Sequence, residues 1–359
     1  MRAVRFHDRH DLRVEDVPPP GALGPEEVLV RPIFCGICGS DLHEYAHGPI
    51  TTTRTPHVFT GAAIPQILGH EFSARVEAIG RDVTNVAVGD RVSIQPQMAP
   101  KDEYYGSRGL FQLSPKVGVV GLSWAWGGMA DLALVKAYNS YLVPPDVDDI
   151  QASLVEPAAV AVHAVDRAAV GSGSSILISG FGPIGALCAL AARAAGAAII
   201  IISETNPKRL RAARELIPGA LLVDPSREDL QEVVRSSTEE GIGVHAAIEC
   251  AGVGRALIAC IEAVRRQGIV VQVGLHTRPV EVDPLAWVFK DIVIRGSICY
   301  QADSWPRVMA LIASGKFPVE KIVTSVIPLE DAIARGFDRL LDPTGEDLKV
   351  LLNIADRTR

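Results

Sequence analysis

The sequence has few cysteines, few aromatic residues and no long uninterrupted hydrophobic run, and each shortage excludes a class of protein. Six cysteines in 359 residues are too few for a fold held by disulfides. The most apolar stretch, 186–202, contains Arg193 and Gly196, so a membrane-spanning helix is not expected. The N-terminal segment carries charges throughout and lacks the apolar centre of a signal peptide. We therefore expect a cytoplasmic protein.

The sequence also has no surplus of positive charge. Its 35 Lys and Arg residues against 42 Asp and Glu residues give a net charge of −7. A basic surface for nucleic acid is therefore not expected. A hydrophobic fraction of 48% and a length of 359 residues are typical of a globular chain with two domains.

The middle of the chain has the strongest structural pattern. Apolar strand candidates recur there and alternate with helical segments, which predicts a doubly wound, parallel α/β sheet of the Rossmann type. The strand candidates are 176–179, 198–203, 220–223, 244–249, 269–273 and 292–298, and the helical candidates include 184–195, 207–217 and 254–266.

The flanking regions have a different texture. Residues 1–153 contain short alternating segments broken by Gly and Pro, which indicates twisted β-structure. The tail 296–359 is short for a separate domain, so we expect it to complete the first one. The prediction is one domain of residues 1–153 and 296–359, into which a dinucleotide-binding domain, 154–295, is inserted.

A glycine-rich turn follows the first strand candidate of the middle region. In Gly180-Phe-Gly182-Pro183-Ile184-Gly185, the first glycine permits a tight turn and the second lets the backbone approach a pyrophosphate. The third permits close packing of helix on strand, and the helix N-terminus that follows favours an anion. An ordinary strand-to-helix turn is the alternative, since the motif alone is weak.

Glu204 bears on the choice of cofactor because it ends the next strand candidate. A carboxylate there can accept hydrogen bonds from ribose hydroxyls and would repel a 2′-phosphate, so NAD is favoured over NADP. Lys208 and Arg209 lie close enough in sequence to weaken that preference. Alternatively, Glu204 is only a surface residue.

Potential metal ligands are concentrated in three segments. Cys35-Gly-Ile-Cys38-Gly-Ser40-Asp41-Leu-His43 is the densest cluster, and Gly69-His70-Glu71 and Val155-Glu156-Pro157 add further candidates. A catalytic zinc takes three protein ligands from Cys, His and carboxylate. Each residue also has a structural interpretation, such as a buried thiol, a turn histidine or a helix-starting glutamate.

Six motifs in a fixed order give the sequence its specificity. They are GICGSDLH (36–43), LGHEF (68–72), VGDRV (88–92), LVEPAAVAVHA (154–164), GFGPIG (180–185) and ECAG (249–252). In this order the chain resembles the zinc-dependent medium-chain alcohol and polyol dehydrogenases. The segment CGICGSDLHEYAHGPI (35–50), followed by a long insert before LGHE, looks most like their butanediol dehydrogenase branch. The resemblance implies a GroES-like, β-rich catalytic domain beside the Rossmann domain.

The resemblance also implies roles for individual residues. Cys38 and His70 would be zinc ligands, and either Glu71 or Glu156 the third, with Asp41 orienting the histidine. Ser40 would take the proton of the alcohol and pass it through the cofactor ribose to His43. The implied cofactor contacts lie in the glycine turn and beyond it: Gly180, Gly182, Pro183, Ile184, Gly185, Glu204, Arg209, Gly252 and Gly274.

The sequence departs from many relatives in one respect. Residues 93–130 contain no cysteine, where those relatives carry a four-cysteine lobe for a second, structural zinc. We therefore expect one zinc per chain and no structural zinc.

The expected substrate is a small secondary alcohol or vicinal diol, of the 2,3-butanediol and acetoin type, oxidised by NAD in a homodimer or homotetramer. A polyol or threonine dehydrogenase is a competing interpretation within the same family. Two interpretations without zinc chemistry also compete, namely a zinc-free reductase and an NAD-binding protein without turnover.

Overall fold

The computed structural model describes residues 1–342 and 344–355. The strands that these residues form are, in chain order, β1 Arg2–Asp8, β2 Asp11–Asp16, β3 Glu27–Gly36, β4 Gln66–Ile67, β5 Glu71–Ile79, β6 Arg91–Ile94, β7 Gln97–Met98, β8 Gly118–Val119, β9 Ala133–Lys136, β10 Ser140–Leu142, β11 Ser175–Ser179, β12 Ile199–Ser203, β13 Leu221–Val223, β14 Val244–Glu249, β15 Val264–Gln272, β16 Val293–Gly296, β17 Val323–Pro328 and β18 Lys349–Asn353.

The α-helices of the described residues are mostly short. They are α1 Gly39–His47, α2 Asp149–Ser153, α3 Val155–Arg167, α4 Pro183–Ala194, α5 Pro207–Leu216, α6 Leu230–Ser237, α7 Gly254–Ala263, α8 Pro284–Val288, α9 Trp305–Ala313 and α10 Asp338–Leu341. None of them is long and apolar enough to cross a bilayer.

The chain divides into two compact units. The first comprises residues 1–156, 301–315 and 323–359, and the second residues 157–300 and 316–322. Both boundaries of the second unit's main segment fall a few residues later than the sequence predicted. Residues 316–322, which we assigned to the first domain, belong to the second. The reason is that the turn Val319–Ile322 packs on α4, with Phe317, Val319 and Ile322 buried.

The second unit contains the predicted Rossmann-type sheet, so the predicted α/β fold class is confirmed. Six parallel strands run in the order β13-β12-β11-β14-β15-β16. The order changes direction on either side of β11, and the connection that follows β11 is the glycine-rich turn and α4. Ligands of doubly wound sheets bind at the carboxyl ends of the strands at such a point.

The first unit is built on a mostly antiparallel sheet with the order β10-β6-β5-β3-β18-β17, and β9 also pairs with β3. The pairing of β3 with β5 sets Gly36 opposite Glu71 and Cys35 opposite Phe72. Strand β18, more than three hundred residues further along the chain, pairs with the other side of β3 and sets Leu351 opposite Gly36. The end of β3 is therefore flanked by two strands that bring in side chains from distant parts of the sequence.

Candidate metal centre and cofactor site

Three of the predicted metal ligands lie together in the first unit. The sulfur of Cys38, a ring nitrogen of His70 and a carboxylate oxygen of Glu71 all lie within 4.8 Å of one another. His70 and Glu71 are buried, and Cys38 is partly buried. Zinc bonds of about 2.0–2.3 Å require donor atoms roughly 3–4 Å apart, so a small contraction of this group would suffice.

Gly69 explains why the histidine and the glutamate can reach this position. Its φ of +101° lies in the left-handed region, which favours glycine. A Cβ at this residue would lie 2.7 Å from both the Cys35 sulfur and Met129. Glycine is thus required at this position of the LGHEF motif, because the backbone conformation immediately before His70 and Glu71 does not accommodate a side chain. Cys35 packs behind that backbone and is outside the ligand group.

Cys38 is held at the N-cap of α1. Its backbone N–H donates to Asp41 Oδ2 at 2.9 Å, which closes the first turn of the helix. The other oxygen of this fully buried carboxylate, Asp41 Oδ1, lies 3.5 Å from His70 Nδ1. That separation is longer than an ordinary hydrogen bond, but it places a negative charge beside the ring. Asp41 thus links the positions of Cys38 and His70, as an acid that orients a ligand histidine would.

Glu71 has a partner that the sequence did not reveal. Its Oε2 accepts a hydrogen bond from the Lys349 ammonium, which also donates to the Ile37 carbonyl at 3.0 Å. The Lys349 side chain is 2% exposed and the Glu71 side chain 1%. Burial by itself would lower the pKa of Lys349, but the negative charge of Glu71 raises it above the usual value. The amine is therefore charged, and Glu71 and Lys349 form a buried ion pair.

Glu156, the alternative third ligand, is also a residue of the first unit. It is in the first turn of α3 and is 8% exposed. It is not a member of the group whose donor atoms lie within 4.8 Å of one another among the described residues.

The surroundings of the ligands favour protonated forms in the metal-free protein. Burial and the charge of Glu71 both raise the pKa of the Cys38 thiol. Burial lowers the pKa of His70, but the neighbouring Asp41 and Cys38 outweigh it and hold that pKa well above the usual value. A metal must displace these protons because the thiolate and the neutral imidazole are the forms that bind it.

The two predicted relay residues lie on the first two turns of α1. Ser40 Oγ is 3.8 Å from Cys38 Sγ, so the hydroxyl is next to the ligand group. His43 follows three residues later on the same side of the helix, and its side chain is exposed. The helix thus leads from the partly buried Cys38, past a hydroxyl, to an imidazole at the surface.

The glycine turn of the second unit has the geometry of a phosphate-binding loop. Gly180 has a φ of +97°, and a Cβ at Gly185 would lie 1.9 Å from the Gly180 carbonyl oxygen. A Cβ at Gly182 would meet nothing nearer than Arg209 Nη1 at 3.9 Å, so this position faces open space. Pro183 and Ile184 form the first turn of α4, for which Gly182 is the N-cap.

A cavity of about 520 Å³ adjoins this turn and brings several predicted cofactor residues together. Its lining includes Gly180, Gly182, Glu204 and Arg209. Glu204 Oε2 accepts a hydrogen bond from the Phe181 N–H at 2.8 Å, and Oε1 accepts from Thr205 and Asn206. Glu204 therefore anchors the turn as well as lining the cavity, and its Oε2, with one donor, retains a lone pair for a further donor.

Gly252 and Gly274 contact each other around a buried carboxylate that sequence reasoning did not single out. The side chain of Glu249, which is fully buried, accepts hydrogen bonds from the N–H groups of Ala251 at 2.8 Å and Gly252 at 2.7 Å. A Cβ at Gly274 would lie 2.4 Å from the Gly252 nitrogen. The ECAG motif therefore gives a rigid loop, and its Cys250 and Ala251 line the same cavity.

Comparison with known families identifies both parts of the chain. Residues 24–145 match the alcohol dehydrogenase GroES-like domain, and residues 183–314 match the zinc-binding dehydrogenase family. The (R,R)-butanediol dehydrogenase of Bacillus subtilis is 37% identical, over 98% of this chain and 99% of that protein. Human sorbitol dehydrogenase is 33% identical, over 96% of this chain and 94% of that protein.

Solved structures of proteins from this family are also similar to the chain. The crystal structure of the Bacillus subtilis 2R,3R-butanediol dehydrogenase superimposes with a TM-score of 0.92 at 36% identity, over 98% of this chain and 99% of that one. A putative zinc-binding dehydrogenase from Sinorhizobium meliloti, solved with NADP bound, gives a TM-score of 0.88 at 29% identity, over the same shares of the two chains.

The open space at Gly182 generates a prediction. We expect Gly182→Ala to fold normally but to bind NADH at least about tenfold more weakly, a cost of about 1.4 kcal/mol, because the added methyl occupies the approach of the pyrophosphate. Fluorescence titration and the thermal midpoint measure the two effects. The matched control is Gly171→Ala, where a Cβ would meet nothing within 4 Å. Equal NADH affinity in both variants would contradict the assignment of this turn.

Proposed function

Because this chain belongs to the zinc-dependent alcohol dehydrogenase family, we propose that it transfers hydride between a small secondary alcohol or vicinal diol and NAD. The substrate we favour is of the 2,3-butanediol and acetoin type. Several of its relatives, including the Bacillus subtilis protein, are named as (R,R)-butanediol dehydrogenases, and they match almost the whole chain.

The observation that carries this proposal is the convergence of Cys38, His70 and Glu71. Sulfur, imidazole nitrogen and carboxylate oxygen are the donors that catalytic zinc uses, and three protein ligands leave a position for substrate. When bound, zinc supplies the Lewis acidity that makes the alcohol hydroxyl acidic near neutral pH. We propose Glu71 as the third ligand because its oxygen lies in the donor group, and Glu156 does not belong to that group.

The protein's own residues would remove the proton. Ser40 Oγ lies beside the ligand sulfur, where it can accept a hydrogen bond from the substrate hydroxyl. His43, one turn further along α1, is exposed, and its imidazole can take up a proton and pass it to water.

The cofactor preference rests on Glu204. Its carboxylate lines the cavity next to the glycine turn, and a second anion there would be repelled. Arg209 lines the same cavity and reduces that repulsion. We therefore propose that the chain uses NAD in preference to NADP.

A single zinc per chain is the further proposal. Residues 93–130, where many relatives bind a structural zinc, offer no thiolate. The group of Cys38, His70 and Glu71 supplies ligands for one ion.

The function is tested with the purified chain and NAD or NADP, assayed against (R,R)-2,3-butanediol, sorbitol, threonine and a simple secondary alcohol. We expect the highest kcat/KM with the diol and NAD, one tightly held zinc per chain, and loss of turnover after chelation that added zinc restores. Preference for sorbitol or threonine would identify a different substrate within the family. Full turnover without zinc would contradict the proposed chemistry, and two tightly held zinc ions would contradict the single site.

The proton path gives a second prediction. We expect His43→Gln to slow alcohol oxidation mainly below neutral pH, because hydroxide becomes available to take the proton directly as the pH rises. The measurement is kcat as a function of pH. His47→Gln is the matched control, since His47 is also exposed on α1 and its ring centroid lies 6.4 Å from that of His43. An unchanged profile for the first variant, or the same change in both, would argue against the path.

We also propose that the chain associates through the edge of its parallel sheet. Strand β16 ends the strand order, with no further partner among the described residues. Apolar side chains near this edge are exposed: Leu285, Val288, Phe289, Val293, Ile294 and Ile298. An unpaired edge with an apolar surround favours pairing with a second copy.

We further propose that the protein functions in the cytoplasm. Its six cysteines are all free thiols, which is the form that the reducing cytoplasm maintains.

If the chain associates through β16, a charged substitution should affect association at that edge of the sheet and not at the opposite edge. We expect Ile294→Lys, on β16, to shift the protein to monomer because it places a charge in the proposed interface. Leu221→Lys is the matched control on β13, the opposite edge, where Leu221 is 39% exposed against 42% for Ile294. Sedimentation velocity measures the mass. A monomeric unmodified chain, or an Ile294→Lys variant that remains associated, would contradict this proposal.

A further inference from the structure

We propose that Lys349 is a positioning residue of the metal centre and that Gly36 provides the space in which it acts. The ammonium group holds Glu71 Oε2, which would leave Oε1 as the oxygen available to the metal. This inference rests on the proposed zinc site and adds two residues to it that do not themselves bind the ion.

The burial of the pair is the first observation. Lysine is rarely buried without a partner, and taking two charges out of water costs several kcal/mol per ion before their attraction is counted. Here both side chains are at most 2% exposed. A structural link between the strands could be made by two apolar side chains at lower cost. A buried pair of charges at this point is explained if the Glu71 carboxylate is needed as a metal ligand. Lys349 then fixes the orientation of that carboxylate.

The second observation is the local geometry around the end of β3. The Ile37 N–H donates to the Val350 carbonyl at 3.1 Å, which brings β18 alongside the residues that lead to Cys38. The Lys349 ammonium then reaches the Ile37 carbonyl at 3.0 Å, together with the Glu71 carboxylate. One amine therefore ties the segment that leads to the cysteine ligand to the carboxylate ligand.

Gly36 is the third observation. A Cβ at this position would lie 2.2 Å from Glu71 Oε2 and 2.9 Å from Lys349 Cε. Gly36 does not have a positive φ, so its backbone conformation does not require glycine. Glycine is required at position 36 because the Glu71–Lys349 ion pair fills the space that a side chain would occupy.

Removal of the ammonium should release the carboxylate. Without Lys349, both oxygens of Glu71 can turn toward the metal, and the buried negative charge has lost its compensation. Residues that orient metal ligands contribute about 10- to 100-fold to metal affinity. A merely structural ion pair would instead change the stability of the fold and leave the affinity for metal unaltered.

The test compares Lys349→Met with Val350→Ala, a control that trims the next, fully buried residue of β18. Zinc affinity is measured by chelator competition, the ligand geometry by the visible spectrum of the Co²⁺-loaded protein, and stability by thermal unfolding without metal. We expect Lys349→Met to bind zinc about 10- to 100-fold more weakly and to change the Co²⁺ spectrum. Val350→Ala should lose stability and keep both metal properties.

Two further variants keep the test decisive if Lys349→Met does not fold. Lys349→Arg retains the charge but has a bulkier head group, and Gly36→Ala removes the space; both should alter the Co²⁺ spectrum. Unchanged zinc affinity and spectra in the variants that fold would overturn the role of Lys349. If the unmodified chain itself binds no zinc, the proposed function fails as well, so the two failures are distinguishable.

Discussion

The structure of the first unit around the end of β3 depends on a buried cluster of charged groups that compensate one another. The thiol of Cys38, the ring of His70 and the carboxylates of Asp41 and Glu71 lie together with Lys349 as their cationic partner. Such groups are costly to bury unless each has a partner or a metal. The left-handed turn at Gly69, the cap on α1 and the pairing of β3 with two distant strands all serve to bring these groups together.

The fold and the local motifs could be predicted because their causes are local in sequence. Alternating apolar strands and helices specify a parallel sheet, and the spacing of Gly180, Gly182 and Gly185 specifies the turn that begins α4. The convergence of Cys38 with His70 and Glu71 followed only from resemblance, since spacing along a chain does not fix contacts across a sheet.

The remaining features of the site and the domain boundary depend on contacts between residues that are distant in sequence. Lys349 lies 278 residues from Glu71, and no pattern around it indicates that its side chain is buried. The competition between Glu71 and Glu156 could not be decided from residue type, because both carboxylates have the right chemistry. The same holds for residues 316–322, which the tail's mixed texture assigned to the first domain, although their apolar side chains pack on α4 in the second unit.

The proposed function depends on one zinc ion bound by Cys38, His70 and Glu71. X-ray absorption spectroscopy of the zinc-loaded chain tests it most directly, because sulfur and lighter ligands scatter at different distances. We expect one sulfur at about 2.3 Å, with the remaining nitrogen and oxygen ligands at about 2.0–2.2 Å, and loss of the sulfur contribution in Cys38→Ser. Several sulfur ligands, or a spectrum unchanged by that substitution, would contradict it.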